Sequence, residues 1–151
     1  MAAAAVLPSA NGGMPAARLR RAELTDACAL AKLYGVAEAD MLAWLETGGV
    51  LLVEDGTMTA LAAVRWQPTN GGWRVEQLVS LPAEQGQAYG RWLMTKLESL
   101  AIKGNVARLD VALADKDQAP YYQRLGYRAG ANGDELSKRV GGVWQRQGAG
   151  P

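Results

Sequence analysis

The pattern of apolar and polar positions predicts an ordered succession of strands and helices. Residues 18–23 alternate as a strand does. A helical face follows, formed by Ala27, Leu30, Ala31 and Tyr34. A second helix is predicted over residues 37–46, where Gly48 and Gly49 end it. The chain therefore begins with one strand and two helices.

Three apolar runs of strand length come next, at residues 50–54, 57–67 and 73–81. Asp55-Gly56 separates the first two runs and indicates a tight hairpin, whose two central residues would both need a positive φ. Asn70-Gly71-Gly72 marks the next turn. These signals predict an antiparallel meander of strands.

The second half of the chain alternates between helix and strand. A helix is predicted to run to about Lys103, with one apolar face formed by Tyr89, Leu93, Leu97 and Leu100. Strand patterns at 108–113 and 136–140 flank a short helix predicted over 119–125. A helix crossover makes the strands on either side of it parallel. The predicted fold class is therefore α/β (α+β): a mixed, mostly antiparallel sheet with helices on both faces.

Composition narrows the classes of function. The chain has 151 residues, of which 49% are hydrophobic and 21% charged, as expected for one globular domain. Its formal net charge of +1 argues against a nucleic-acid partner. Because there is no histidine, His-based triads and most zinc chemistry are excluded, and we expect no metal site. The single cysteine, Cys28, fits a reducing compartment.

The termini and the hydropathy pattern indicate a cytoplasmic protein. No apolar run approaches the ~20 residues that a membrane-spanning helix needs, so no membrane partner is expected. Residues 1–17 are rich in Ala, Gly and Pro and are predicted to form a disordered tail, because the apolar stretch 2–7 lacks the basic region of a signal peptide. Residues 146–151 are predicted to be a loose tail, which leaves a single domain over residues 18–145.

The segment from Leu81 to Gly90 joins a predicted strand to the best amphipathic helix in the chain. Gly86 and Gly90 allow a tight turn and a close approach to a ligand. The helix start directs unpaired N–H groups and the positive end of the helix dipole at whatever lies above the loop. Neither G-x-x-x-x-G-K-[ST] nor G-x-G-x-x-G is present. The pattern therefore predicts a site for the pyrophosphate of some cofactor other than a common nucleotide.

Two segments together resemble the Gcn5-related N-acetyltransferase (GNAT) family, over roughly residues 18–144. The family carries a strand, often with V-x-P, and then [QR]-x-x-G-x-[GA]; here Leu78-Val-Ser-Leu-Pro82 precedes Gln85-Gly-Gln-Ala-Tyr-Gly90. Asp117-Gln-Ala-Pro-Tyr-Tyr-Gln-Arg-Leu-Gly-Tyr127 is similar to the family's N-x-x-A…F-Y-x-x-L-G-F segment, although it has one residue fewer. The chain departs from the family pattern at Ser80 (usually Val), Gln85 (usually Arg), Ala88 (usually Gly) and Asp117 (usually Asn).

The resemblance implies acetyl-CoA as co-substrate, bound where strands 73–81 and 108–113 separate. The pyrophosphate would lie on the N–H groups of about 85–90, and unpaired strand groups would hold the pantetheine amides. A backbone N–H near Leu81 would stabilise the oxyanion that forms when an amine attacks the thioester. The implied cofactor-binding residues are Val79, Ser80, Leu81, Gln85, Gly86, Gln87, Ala88, Tyr89, Gly90, Arg91, Asp117 and Tyr122.

Two residues are candidates for moving protons. Glu76 lies on the strand that leads into the implied cleft, on the same face as Leu78 and Ser80, and could act as general base; the alternative is an ordinary solvent-facing Glu. Tyr122 matches the family's tyrosine that protonates the leaving thiolate. The alternative is that Tyr121 and Tyr122 only pack a short helix on the sheet, which is the role expected for Tyr121.

The remaining polar and aromatic residues are assigned structural roles. Cys28 is expected in the core. Trp44, Trp66 and Trp73 are expected to pack in the core, and Trp44 could instead line a substrate pocket. Lys138 and Arg139 are expected on a solvated strand face.

The resulting hypothesis is an acetyl-CoA-dependent N-acetyltransferase that uses direct attack in a ternary complex. The acceptor would be a small-molecule amine or a peptide, and the family allows a homodimer. One alternative is a non-catalytic acyl-CoA-binding or regulatory module on the same fold, which Ala88 and Gln85 favour. The other is a structural domain without a cofactor.

Overall fold

The computed structural model describes residues 5–7, 17–82, 88–113, 116–130 and 135–140. Within these residues the helices are α1 (Ala27–Tyr34), α2 (Glu38–Thr47), α3 (Tyr89–Lys103) and α4 (Ala119–Arg124). The strands are β1 (Ala5–Leu7), β2 (Ala17–Arg21), β3 (Gly49–Glu54), β4 (Ala60–Thr69), β5 (Gly72–Ser80), β6 (Arg108–Ala112), β7 (Arg128–Ala129) and β8 (Glu135–Arg139). The predicted helices and the predicted long strands are all present, and α3 ends at Lys103 as predicted.

The strands form one mixed sheet in the order β1-β2-β3-β4-β5-β6-β8-β7. β2 pairs antiparallel with β1 and β3, and β8 pairs antiparallel with β6 and β7. β5 and β6 are parallel, with Trp73 opposite Leu109 and Val75 opposite Val111. The connection between them contains α3, as a parallel pair requires. The predicted fold class is confirmed.

The chain divides into two compact units. The first contains Met1–Arg65 and Leu78–Leu93, and the second contains Trp66–Gln77 and Met94–Pro151. Among the described residues, no helix is long and apolar enough to cross a membrane. The single domain over residues 18–145 and the tail over residues 146–151 stay predictions, and the latter residues lie outside the described part of the chain.

The structure differs from the predicted disordered tail at two places in residues 1–17. Ala5–Leu7 forms β1, in register with Leu19, Arg18 and Ala17 of β2. Ala17 itself is buried. An apolar tripeptide can add to a free strand edge through backbone hydrogen bonds alone, which a reading from composition does not detect. The rest of this predicted tail lies outside the described residues.

The core of the first unit lies between the first two helices and the strands that follow them. One cluster of buried side chains contains Ala27, Leu30, Ala31, Tyr34, Met41, Val50, Leu52, Ala60 and Ala63. All six residues of β3 are buried, as expected of an interior strand. Trp44 packs edge-on against Tyr34 at 6.0 Å between ring centroids, and the Arg65 guanidinium lies 3.5 Å from the Trp44 ring centroid. Trp44 therefore has a packing role in this unit.

The prediction that Cys28 lies in the core is wrong, since its side chain is exposed. α1 buries the positions i, i+3, i+4 and i+7, namely Ala27, Leu30, Ala31 and Tyr34. Cys28 follows the first of these by one residue, which rotates it by about 100° around the helix axis. The predicted apolar face of α1 is confirmed, and Cys28 lies outside that face.

The turn between β3 and β4 also differs from the prediction. Strand pairing stops at Glu54 and β4 begins at Ala60, so the connection is longer than a two-residue hairpin. Oδ1 of Asp55 accepts hydrogen bonds from the N–H groups of Thr57 (2.8 Å) and Thr59 (3.0 Å). Met58, with φ of 65°, takes the left-handed conformation instead of Gly56. Side-chain capping by Asp55 thus replaces the backbone geometry predicted for Asp-Gly.

One charged cluster ties the beginning of α1 to two strands of the first unit. The Arg20 guanidinium donates to both oxygens of Asp26, at 2.7 and 2.9 Å, and to both oxygens of Glu54, at 3.1 Å each. Arg18 also pairs with Glu54, at 3.0 Å. Because the Glu54 side chain is only 2% exposed, these cations neutralise a carboxylate that burial would otherwise penalise.

We expect Asp26→Asn to make stability less dependent on acid pH. Burial would raise the pKa of Asp26, but the hydrogen bonds from Arg20 and the Glu23 N–H, with the Arg20 charge, lower it below its ordinary 3.8. The ionised carboxyl therefore stabilises the fold above that pH, and this contribution is lost as pH falls through the lowered pKa. At pH 7 the variant should lose about 1–2 kcal/mol in the free energy of unfolding, measured by urea titration.

The difference between wild type and Asp26→Asn should narrow below about pH 4. Glu46→Gln, which changes an exposed carboxyl on α2, is the control and should show neither effect. A difference that stays constant from pH 7 to pH 3 would contradict the role assigned to Asp26.

Met58→Gly should stabilise the protein. A left-handed conformation costs a residue with a Cβ about 1–2 kcal/mol, and the greater unfolded-state entropy of glycine offsets about 0.5–1 kcal/mol of that gain. Since Met58 is 69% exposed, its removal gives up little apolar burial. We expect the free energy of unfolding to rise by about 0.5–1 kcal/mol. Met58→Ala keeps the Cβ and should give no increase; equal gains in both variants would refute the backbone explanation.

Candidate functional site

β5 extends well past its pairing with β6. The register between them covers Trp73, Arg74 and Val75, whereas β5 itself continues to Ser80. The end of β5 belongs to the first unit, and there the Leu81 N–H donates to the Leu61 carbonyl at 2.9 Å. Val79 packs against the apolar cluster of that unit. The strand end is therefore anchored on the side of β4.

The same bond bears on the backbone donor predicted near Leu81. Its N–H is occupied by Leu61 and is not available to a ligand in this structure. In a regular strand the backbone groups of successive residues point to opposite sides, which makes the Ser80 N–H the neighbouring candidate for such a donor.

α3 begins directly after Ala88, which is exposed. The Trp92 N–H donates to the Ala88 carbonyl at 3.1 Å, which places Ala88 at the boundary of the helix. Ala88 has no polar side chain, and the first turn contains no acidic residue. α2, by contrast, begins with Glu38 and Asp40. The first turn of α3 therefore supplies no negative charge of its own to the positive end of the helix dipole.

The first turn of α3 contains Tyr89, Gly90 and Arg91. Tyr89 is buried and anchors the helix start, while Gly90 is half-buried and Arg91 is exposed. Arg91 adds a positive charge to the first turn, where a basic residue is unfavourable for an isolated helix. Gln85, Gly86 and Gln87, which were predicted to bind the same group, lie outside the described residues.

Glu76 lies on β5 within the second unit and is partly buried. Its side chain is 23% exposed, and Oε2 lies 3.6 Å from Nε of Arg74, two residues earlier on the same face. Arg74 also pairs with Glu135 of β8 at 3.2 Å. Glu76 is therefore partly buried and lies beside a cation.

Tyr122 is the buried aromatic residue of α4. It is 4% exposed, and its ring packs edge-on against Tyr121 (5.1 Å between centroids) and Tyr127 (6.0 Å). Burial, with a smaller contribution from Tyr121, raises the pKa of Tyr122 above its ordinary value. The phenol is therefore a hydrogen-bond donor at neutral pH. Asp117, another predicted site residue, lies exposed in a 3-10 turn before α4.

The end of α4 is closed by a Schellman motif. The Tyr127 N–H donates to the Tyr122 carbonyl (3.1 Å) and the Gly126 N–H to the Gln123 carbonyl (3.0 Å), with Gly126 at φ of 100°. The ring contact between Tyr122 and Tyr127 is the apolar contact that accompanies this motif. The Leu-Gly-Tyr segment thus fixes the chain directly after Tyr122.

Lys138 does not lie on a solvated face, which corrects the prediction; Arg139 is exposed as predicted. The Lys138 ammonium donates to both Glu98 oxygens at 3.1 Å and to the Leu125 carbonyl at 2.8 Å. The Tyr127 hydroxyl donates to Glu98 at 2.9 Å. Burial, together with the charge of Glu98 and this bond, raises the pKa of Tyr127 and keeps the hydroxyl protonated. β8 lies between β6 and β7, and its lysine bonds to residues of α3 and of the end of α4.

Comparison with known proteins identifies the family. The model described as the acetyltransferase (GNAT) family matches residues 19–127. The chain belongs to the GNAT acetyltransferase family. The resemblance predicted from the two sequence motifs is therefore confirmed, and acyl transfer from an acyl-CoA is the chemistry of this family. No curated protein sequence matches the chain.

Solved GNAT structures have the same fold. The ribosomal-protein-S18-alanine N-acetyltransferase from Escherichia coli has a TM-score of 0.70 at 16% identity and covers 82% of this chain and 94% of its own. PaiA N-acetyltransferase from Thermoplasma acidophilum, in complex with coenzyme A, has a TM-score of 0.63 at 11% identity, covering 82% and 98%. Tetrahymena Gcn5 has a TM-score of 0.59 at 14% identity, covering 78% and 86%.

A polar cleft of about 510 Å³ in the second unit of this GNAT chain was not predicted from the sequence. Its walls include Arg74, Arg108, Asp110, Glu135 and Ser137. Asp110 accepts hydrogen bonds from Ser137 (2.5 Å) and from Nε of Arg108 (3.0 Å). Charged or polar residues recur at every second position of β5, β6 and β8, which places them on one face of the sheet. This alternation is the sequence pattern that could have predicted the cleft.

The chemistry available to these GNAT residues does not include an obvious metal centre. Among the described residues, no group of three or more metal-ligating side chains occurs. The groups present are an exposed helix start with a basic residue, a partly buried carboxylate and a buried phenol. These can bind an anion, accept a proton and donate a hydrogen bond.

Proposed function

We propose that the protein transfers an acetyl group from acetyl-CoA to a primary amine by direct attack in a ternary complex. The observation that supports the proposal most is the beginning of α3, which follows β5 in a GNAT chain and has no acidic residue but a basic one, Arg91, in its first turn. Amino groups of small molecules and of peptides are both candidate acceptors. The Escherichia coli neighbour, named for an alanine of ribosomal protein S18, supports including peptide N-termini.

The pyrophosphate of CoA would bind the first N–H groups of α3. Phosphate oxygens accept well from N–H groups at a helix start, and Arg91 adds a charge-assisted donor. Ala88 places a methyl group where the family usually has glycine. Because the required contacts come from the backbone, Ala88 would weaken this binding rather than abolish it. Gln85 would supply a neutral donor in place of the usual arginine.

The thioester would lie along the end of β5. The backbone of Val79 and Ser80 would pair with the pantetheine amides, as an added strand does. The Ser80 N–H would donate to the thioester oxygen, and this bond strengthens as negative charge develops on that oxygen. Leu81 would contribute by holding the strand against β4 through its bond to Leu61.

The reaction balances with two protein groups. The neutral amine nitrogen attacks the thioester carbonyl carbon and its surplus proton passes to Glu76, directly or through water. The tetrahedral intermediate collapses, the C–S bond breaks, and the sulfur leaves with the bonding electrons. Tyr122 donates a hydrogen bond to that sulfur. A thiol has an ordinary pKa of about 8.5, so full transfer from the less acidic phenol is uphill and solvent completes the protonation.

Acetyl-CoA should raise the melting temperature, because a ligand that binds only the folded state stabilises it. At a concentration 100 times its Kd the gain is about 2.7 kcal/mol, or about 5–10 °C for a chain of this size. Arg91→Glu should require at least about 10-fold more acetyl-CoA for the same shift, because it reverses the charge at the helix start. Lys96→Glu, the same change in the middle of α3, is the control.

A thermal scan with acetyl-CoA from micromolar to millimolar measures both effects. No shift at millimolar acetyl-CoA would reject the cofactor assignment. Equal shifts in Arg91→Glu and the wild type would reject the helix start as the pyrophosphate site.

Tyr122→Phe should reduce kcat by about 100-fold while the Kd of acetyl-CoA stays nearly unchanged, because only the hydrogen-bond donor to the leaving sulfur is removed. Thiol release against a panel of amines and peptides measures kcat. Since burial raises the pKa of Tyr122, the phenol should remain a donor up to about pH 10, and wild-type kcat should show no alkaline loss from this group below that pH. Tyr121→Phe is the control and should retain turnover.

Full activity in Tyr122→Phe would reject the role of this tyrosine. Binding of acetyl-CoA without turnover on any acceptor would favour the non-catalytic acyl-CoA-binding module over the enzyme.

A further inference from the structure

A closed set of contacts surrounds the C-terminal end of α4, the helix that carries Tyr122. It is formed by Lys138 of β8, Glu98 of α3, Leu125 and Tyr127, all within the second unit. None of these residues has an acidic, basic or nucleophilic role in the proposed reaction. Their side chains nevertheless converge on the segment that directly follows Tyr122.

The contacts form a continuous path back to Tyr122. Leu125 is the C-cap residue of α4, and Lys138 donates to its carbonyl at 2.8 Å. Lys138 also donates to Glu98. Glu98 in turn accepts the hydroxyl of Tyr127 at 2.9 Å. Tyr127 is bound to Tyr122 through the backbone at 3.1 Å and through the edge-on ring contact. Backbone and ring contacts thus connect Lys138 and Glu98 to Tyr122 by two routes.

The Lys138–Glu98 ion pair is partly buried and packed against the segment that follows α4. The side chains of Lys138 and Glu98 are 29% and 20% exposed, so their pairing is only partly screened by water. The aliphatic end of Lys138 lies against Gly126, where an added Cβ would come within 3.2 Å of Cε. The ammonium also lies 5.5 Å from the Tyr127 ring centroid. A positive charge at a helix C-terminus is favourable for the helix dipole.

We propose that Lys138 and Glu98 are positioning residues that hold Tyr122 in the orientation needed to donate to the leaving sulfur. This inference rests on the proposed function of Tyr122 and adds the residues that orient it. A six-residue helix has few internal hydrogen bonds of its own, so its orientation depends on such external contacts. Loss of the clamp should therefore reduce the rate of the chemical step more than the binding of acyl-CoA.

Four variants test the clamp in the full-length protein. Lys138→Met keeps the length of the side chain but removes its charge and donors, and Glu98→Gln keeps the shape but removes the charge. Tyr127→Phe removes only the hydroxyl and is the mildest change, which covers the case in which Lys138→Met folds poorly. Arg139→Met, at an exposed neighbouring position on β8, is the matched control.

Lys138→Met and Glu98→Gln should lower kcat by about 10-fold, with KM for acetyl-CoA within about 2-fold of the wild type. Tyr127→Phe should lower kcat by about 3-fold, and Arg139→Met should leave it unchanged. In a Tyr122→Phe background, Lys138→Met should cause little further loss, because its effect acts through the hydroxyl already removed. An equal loss in both backgrounds, or wild-type kcat in Lys138→Met, would overturn the inference.

Hydrogen exchange separates this inference from the proposed function. The amides of α4 and of Gly126 and Tyr127 should exchange faster in Lys138→Met than in Arg139→Met, whether or not an acceptor has been found. Unchanged exchange in this segment would overturn the clamp even if the wild type is active. A wild type without turnover on any amine would refute the proposed function, and faster exchange in α4 would still support the clamp.

Discussion

The parallel register between β5 and β6 is the constraint on which much of this structure depends. It aligns Trp73, Arg74 and Val75 with Leu109, Asp110 and Val111, and a parallel pair cannot be joined by a tight turn. The chain must therefore cross from the end of one strand to the beginning of the other, and α3 occupies that crossover. The same register places apolar residues on one face of the pair and charged residues on the other. A buried face and a polar cleft in the second unit thus follow from one alignment.

The regular elements could be predicted because their signals are local. The apolar face of α3 repeats from Tyr89 to Leu100, and the helix ends at Lys103 as predicted. β1 and β7 escaped prediction because they are too short for a period-2 pattern to stand out. The prediction for the turn after Glu54 is wrong for a different reason. The Asp-Gly pair predicted a tight hairpin turn, whereas the Asp55 side chain accepts hydrogen bonds from two N–H groups and the left-handed residue is Met58.

The candidate site was predictable only where a motif marks it. The strand before α3 and the Tyr-Tyr…Leu-Gly-Tyr segment were recognisable, and the family they indicate is the one that the chain belongs to. The role of Lys138 was not recognisable, because its partners Glu98 and Leu125 are distant in sequence and nothing in the strand pattern announces them. The occupied N–H of Leu81 is similar: only the position of Leu61 on the adjoining strand reveals it. Long-range pairing is what a single sequence conceals.

Gly126 and Lys138 also limit how this sequence can change over evolutionary time. The positive φ at Gly126 disfavours any residue with a side chain, and the Lys138 stem occupies the space that such a side chain would enter. Shortening residue 138 would open the space without removing the conformational requirement. Substitution at 126 would, in turn, displace the lysine from its partners. The two positions are 12 residues apart in the chain, and we expect them to be substituted together or not at all among close relatives.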